Sequence, residues 1–141
     1  MNRAALLCAA LSLAGCIVLP IPTHEDVVLG GKPVSEDQLA FLVPKVTTKR
    51  EVVSRLGSPN VIWEDARVFA YNWEMRQGIL FWAISGYTTG AAGAEDMPKH
   101  YVLLIRFDEH DRLERFARTV RPATVSYGEF LQRWLKRAPA E

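Results

Sequence analysis

The stretch RVFAYNWEMR, Arg67 to Arg76, sets large apolar side chains at every second position. Phe69, Tyr71, Trp73 and Met75 share one side of an extended chain. Ala70, Asn72, Glu74 and Arg76 take the other, because successive side chains of a strand point to opposite faces. The spacing predicts a strand with one core face and one wet face. Tyr101, Leu103, Ile105 and Phe107 repeat the pattern, and DEHDR at 108–112 reads as a polar hairpin connection into a third strand, LERFARTV at 113–120. A three-stranded antiparallel sheet follows, with VIWE at 61–64 as a candidate fourth strand.

Outward from this sheet, three segments carry a helix-start signature, a Ser or Thr followed three residues later by Gln or Glu. They are Ser35 with Gln38, Thr48 with Glu51, and Ser126 with Glu129. Each pair can satisfy two of the backbone donors that a first helical turn leaves unpaired. The expected helices cover 36–42, stopped by Pro44; 49–56, with Val52, Val53 and Leu56 apolar; and 127–137, with Phe130, Leu131, Trp134 and Leu135 in a stripe. Gly57 is placed for a left-handed C-terminal cap, and Pro59 blocks continuation. The expected class is α+β: two N-terminal helices packed on a three- or four-stranded antiparallel sheet, plus a C-terminal helix.

The 141 residues suffice for one domain, and a formal net charge of +1 supplies no footprint for nucleic acid. The N-terminus departs from the average. Arg3 is the only charge before Cys16, and Ala4 to Leu13 is almost wholly apolar, the layout of a secretory signal and too short for a spanning helix. Leu13-Ala14-Gly15-Cys16 closes that run and resembles the lipobox of bacterial lipoproteins. The resemblance implies cleavage before Cys16 and acylation of its thiol, and the chains themselves are the only non-protein group expected. Two or three acyl chains hold a protein on a bilayer stably where one does not. Cys8 lies inside the segment that cleavage removes, so no intramolecular disulfide is expected. Ile17 stands where the enterobacterial sorting pattern places Asp for inner-membrane retention, which implies the periplasmic face of the outer membrane.

Residues 1–15 are thus expected as a signal peptide and 16–34 as a lipidated cysteine with an extended tether. Prolines at 20, 22 and 33 and the Gly30-Gly31 pair motivate the tether. His24, Glu25 and Asp26 are adjacent and read as a solvated turn, not as metal ligands. The folded domain is placed at 35–141.

TTKREVVSRLGSP, the aromatic strand and the hairpin LLIRFDEHDRLERF together resemble the SmpA/OmlA (BamE-like) family of small outer-membrane lipoproteins. In that likeness Thr48 takes the capping threonine, Leu56-Gly57-Ser58-Pro59 the helix stop, Tyr71 and Trp73 the aromatic strand, and Phe107 the strand end. The resemblance covers about residues 35–121. It implies two helices on a three-stranded sheet, similar to half of a β-lactamase inhibitor protein, and a role in outer-membrane protein assembly. Val46 replaces a glycine usual in the family, and Pro44 adds a stiff turn.

The connection 77–98 is enlarged relative to the family, and no charge occurs from Gln77 to Ala94. Phe81, Trp82 and Tyr87 are candidate contacts for a partner or a membrane. The plainer expectation is that this segment extends the first strand and packs under the C-terminal helix, whose stripe needs cover. Ser85 has no nucleophile-elbow context, and His100 and His110 lack a second histidine at metal spacing. Glu95, Asp96 and His100 form the only acid/base candidates, the basis for a small envelope hydrolase as an alternative. No catalytic or metal site is expected. The function that results is a lipid-anchored periplasmic module that binds envelope proteins, an accessory or scaffold of outer-membrane assembly or envelope integrity. An inhibitor-like binding module is the alternative within binding.

Overall fold

A computed structural model describes residues 15–86 and 88–137. The expected signal segment falls, apart from Gly15, outside the described residues, as does Tyr87. The described chain is mostly β. Six strands, β1 (Gly15–Pro22), β2 (Val28–Gly31), β3 (Val61–Trp63), β4 (Val68–Ser85), β5 (Gly90–Phe107) and β6 (Leu113–Val120), form one antiparallel sheet. Its order is β1-β4-β5-β6, with β2 and β3 also paired to β4. Two α-helices accompany it, α1 (Lys49–Leu56) and α2 (Tyr127–Lys136).

This corrects the expected fold class of two N-terminal helices on a three- or four-stranded sheet. The segment 36–42 makes only a 3-10 turn, Asp37–Leu39. Seven residues before Pro44 are too few to repay helix nucleation. Leu39 and Leu42 are buried instead at the three-residue spacing of a 3-10 turn, joined by Leu42 N–H to the Leu39 carbonyl at 2.9 Å. Ser35 forms half of its capping pair, its N–H donating to Gln38 Oε1 at 3.0 Å.

Two further segments are also strands. The enlarged connection 77–98 is the continuation of β4 and the beginning of β5, and the expected tether contains β1 and β2. The prolines of β1 do not prevent pairing, because β1 is an edge strand. Thr23 N–H donates to the Gln77 carbonyl at 3.2 Å, next in register after Pro22 opposite Gly78. Alternation along the ladder therefore turns the N–H groups of odd residues toward β4, and Pro20 and Pro22 occupy outward positions where no donor is needed.

The chain divides into two compact units. The larger comprises Val28–Met75 and the residues from Lys99 onward. Its strands are covered on both faces. Phe69, Tyr71, Trp73, Leu103, Ile105 and Phe107 meet Val52 and Leu56 of α1 and Leu39 and Leu42 of the 3-10 segment. Val68, Ala70, Val102 and Leu104 meet Leu131 of α2, with Phe130, Trp134 and Leu135 packed beside it. The apolar stripe of α2 thus covers the β4 and β5 residues of this cluster. Arg118 stacks over Trp73 and Tyr101, 5.3 and 5.0 Å from their ring centres, while its Nε donates to the Val34 carbonyl at 3.1 Å.

Both helices start as their sequences require. Thr48 Oγ1 accepts from Glu51 N–H and Ser126 Oγ from Glu129 N–H, each at 3.3 Å. Gly57 caps α1 at positive φ, 87°, as Leu-Gly-x-Pro implies, although its ψ of −171° lies outside the left-handed helical region. Its carbonyl turns aside to accept the Tyr71 hydroxyl at 2.8 Å.

The smaller unit comprises residues 15–27 with Arg76–Pro98. It is a ribbon of β1, the second half of β4 and the first half of β5, closed by the turn in which Gly86 N–H donates to the Thr89 carbonyl at 2.8 Å.

Candidate functional site

Cys16 lies on β1 directly opposite Ile84 of β4, one pair from the hairpin end where Gly15 faces Ser85. Its thiol is exposed. The next pairs are Ile17 with Ala83, Val18 with Trp82, Leu19 with Phe81, Pro20 with Leu80 and Ile21 with Ile79. Strand alternation puts Ile17, Leu19, Phe81 and Ile79 on one face of the ribbon, and Cys16, Val18, Trp82 and Ile84 on the other. Neither face of the paired stretches 15–22 and 78–85 carries a charge.

Of the sequence-derived contact candidates, Phe81 and Trp82 are half-buried, and Tyr87 is outside the described residues. The Trp82 ring lies against Gly93 of β5, where an added Cβ would come within 2.7 Å of it. Glycine is required there because the indole occupies the space a side chain would need. Ile17, Val18, Leu19 and Ile84 stand about half exposed, at 54, 58, 52 and 51 %. Charge returns only toward the base of the ribbon, where Arg76 Nε meets Asp96 Oδ1 at 2.7 Å.

Two of the acid/base candidates, Asp96 and His100, have partners of their own. Asp96 pairs with Arg76 within the smaller unit, and in the larger unit His100 Nδ1 lies 2.9 Å from Glu74 Oε1. Among the described residues, no three His, Cys, Asp or Glu side chains are grouped to hold a metal ion. No described helix is long and apolar enough to cross a membrane.

The larger unit presents a second feature, which the sequence did not single out. A hollow of about 670 Å³ opens at the start of α1, lined by Thr48, Lys49, Arg50, Val53, Phe69 and the hairpin residues His110, Asp111 and Arg112. Lys49 sits 5.2 Å over the Phe69 ring and 3.7 Å from Asp111. Arg50 and Val53 are exposed, so the hollow combines an apolar floor with a cationic rim. The hairpin wall is held by Asp108, whose carboxylate accepts from the N–H groups of His110 at 2.8 Å and Arg112 at 3.0 Å. The Arg112 N–H, followed by that of His110, holds the Asp108 carboxyl below its ordinary pKa against a partly opposing desolvation. Neither a known family, nor a characterised protein, nor a solved structure matches this chain.

Proposed function

We propose that the chain is a lipid-anchored periplasmic binding module, acylated at Cys16 and held at the outer membrane, that contacts envelope proteins as an accessory or scaffold of outer-membrane assembly. The observation that carries this reading is the lipobox, Leu13-Ala14-Gly15-Cys16, ending an apolar run and delivering an exposed cysteine thiol. The likeness to SmpA/OmlA lipoproteins supports it through the capped α1, the Leu-Gly-Ser-Pro stop and the DEHDR hairpin. The six-stranded sheet departs from the two-helix plan of that family. An inhibitor-like role is dropped for the same reason, since it rested on that shared plan alone.

The binding surface in this reading is the hollow beside α1. An apolar floor of Val53 and Phe69 rimmed by Lys49, Arg50 and Arg112 suits a partner segment with an apolar side chain flanked by acidic ones.

The test has two arms. Cys16→Ala removes acyl mass from the mature N-terminus and releases the protein from the outer-membrane fraction if the anchor is assigned correctly; retention with acyl mass refutes it. Capture from detergent-solubilised membranes recovers outer-membrane assembly proteins, and Arg50→Glu, an exposed change, weakens that recovery. Recovery of no envelope protein refutes the binding role.

A further inference from the structure

The ribbon of the smaller unit breaks a strong regularity. A two-sided strand ribbon in water normally keeps at least one face polar, yet here both faces are apolar and substantially exposed. From Gln77 to Ala94 and from Cys16 to Thr23 there is no charged side chain. We propose that this ribbon enters the boundary layer of a lipid bilayer, hairpin turn first, so that the fold carries its own membrane contact beside the acyl group. The inference rests on the preceding reading only for the place where the acyl chains leave the protein.

Four observations select lipid as the occupant. First, Cys16 pairs with Ile84, one residue pair from the hairpin end. Acyl chains on that sulfur leave the protein beside the turn, with no intervening tether to hold the turn away from the bilayer. Second, the exposed residues occur on both faces, Ile17 and Leu19 on one, Val18 and Ile84 on the other. A protein groove covers one face of a ribbon, whereas acyl chains surround it. Third, Trp82 lies three residue pairs in from the Gly15–Ser85 end, about 10 Å along the strand at about 3.3 Å per residue. When the turn reaches the usual interfacial depth of about 5–10 Å, the indole sits at headgroup level, the place tryptophan favours. Fourth, the edge of β1 lacks two of its outward N–H donors because Pro20 and Pro22 occupy those positions. A second copy pairing along β1 would lack the same two donors, which disfavours a strand-swapped dimer.

The test uses the full chain made in a Gram-negative host, purified in detergent and reconstituted into phosphatidylcholine vesicles with acyl chains brominated at the carbons nearest the headgroup. These vesicles carry no net charge, so a headgroup-charge attraction contributes nothing. The Trp82 signal is isolated as the difference between the parent and Trp82→Phe, and the mass of the N-terminal peptide is measured on the same preparation. Trp82 emission shifts to the blue and is quenched by the brominated chains, and Leu19→Asp combined with Ile84→Asp abolishes the quenching while far-ultraviolet circular dichroism is unchanged. Both substituted residues are exposed, so the fold does not depend on them. An acylated N-terminus with unquenched Trp82 overturns the ribbon proposal and leaves the anchor standing. Quenched Trp82 with an unmodified Cys16 does the reverse. Unquenched Trp82 in a chain that self-associates assigns the ribbon to a second copy and overturns the proposal.

Discussion

Replacing Gly57 isolates a backbone cost from any packing cost. A Cβ at this position meets no atom within 4 Å, so Gly57→Ala introduces no clash. With φ at 87° and ψ at −171°, however, the residue sits in a region that only glycine occupies freely. Strain of this kind costs about 1–3 kcal/mol. Loss of glycine's freedom in the unfolded chain returns about 0.4–1 kcal/mol, so the expected net destabilisation is about 1–2 kcal/mol. The chain can relieve the strain by rotating the Gly57 carbonyl, which weakens its 2.8 Å bond from the Tyr71 hydroxyl. That bond is worth about 0.5–1.5 kcal/mol by itself. Tyr71→Phe therefore costs less in the Gly57→Ala background than in the parent, and the two changes are sub-additive. Urea unfolding followed by tryptophan fluorescence, with an unchanged denaturant slope, measures all three variants. Gly57→Ala within about 0.3 kcal/mol of the parent, or strict additivity with Tyr71→Phe, refutes the account, since neighbours sharing a bond couple by about 0.5 kcal/mol or more.

Burial raises the Tyr71 phenol from 10.0 to about 12. Because folding favours the neutral phenol, its contribution to stability is complete below pH 10 and drains away as the pH rises toward 12. The absorbance near 295 nm of the parent minus that of Tyr71→Phe should rise around pH 12, and a rise at pH 10 would contradict the buried setting. Asp108 has the opposite sign: its carboxyl is held below the ordinary 3.8, so its support of the hairpin persists above that pH and is lost as the pH falls through the lowered value. The amide resonances of His110 and Arg112 should move together below pH 3.8, and a common midpoint at or above it would refute the assignment.

The parts of the fold legible in the sequence are those where one face is core and the other wet. Phe69, Tyr71 and Trp73, then Leu103, Ile105 and Phe107, alternate because their strands must sort side chains between environments. The capped α1 and α2 are legible because Thr48 and Ser126 announce where backbone donors need partners. The outer half of β4 is legible only as the expected extension of the first strand, since ILFWAI is apolar on both faces and shows no period of its own. The outer half of β5 is hidden for the opposite reason: GAAGA offers no bulky side chain to alternate. In β1 the prolines read as strand breakers, and only the register shows that their missing donors point outward. The lipobox identifies Cys16 locally. Its neighbour Ile84 depends on a cross-strand register that no local signal specifies, although two uncharged apolar runs of matching length, 15–22 and 78–85, are a trace of it.

The last described element, α2, has a bearing on the order of events in folding. It covers Val68, Ala70, Val102 and Leu104, and Arg115 of β6 fixes it in place by donating to the carbonyls of Trp134, Leu135 and Arg137 at its end. Every strand of the sheet precedes it in the chain. A nascent or translocating chain can complete all its strand pairing while one side of the larger unit is still bare, and that side is the surface on which a chaperone can keep hold. Arrival of some ten residues then ends the vulnerable interval in a single docking step. Chains that stop short of Tyr127 should accumulate as aggregates or as chaperone-bound species, with their strands formed and their lifetime set by proteolysis rather than by loss of the sheet.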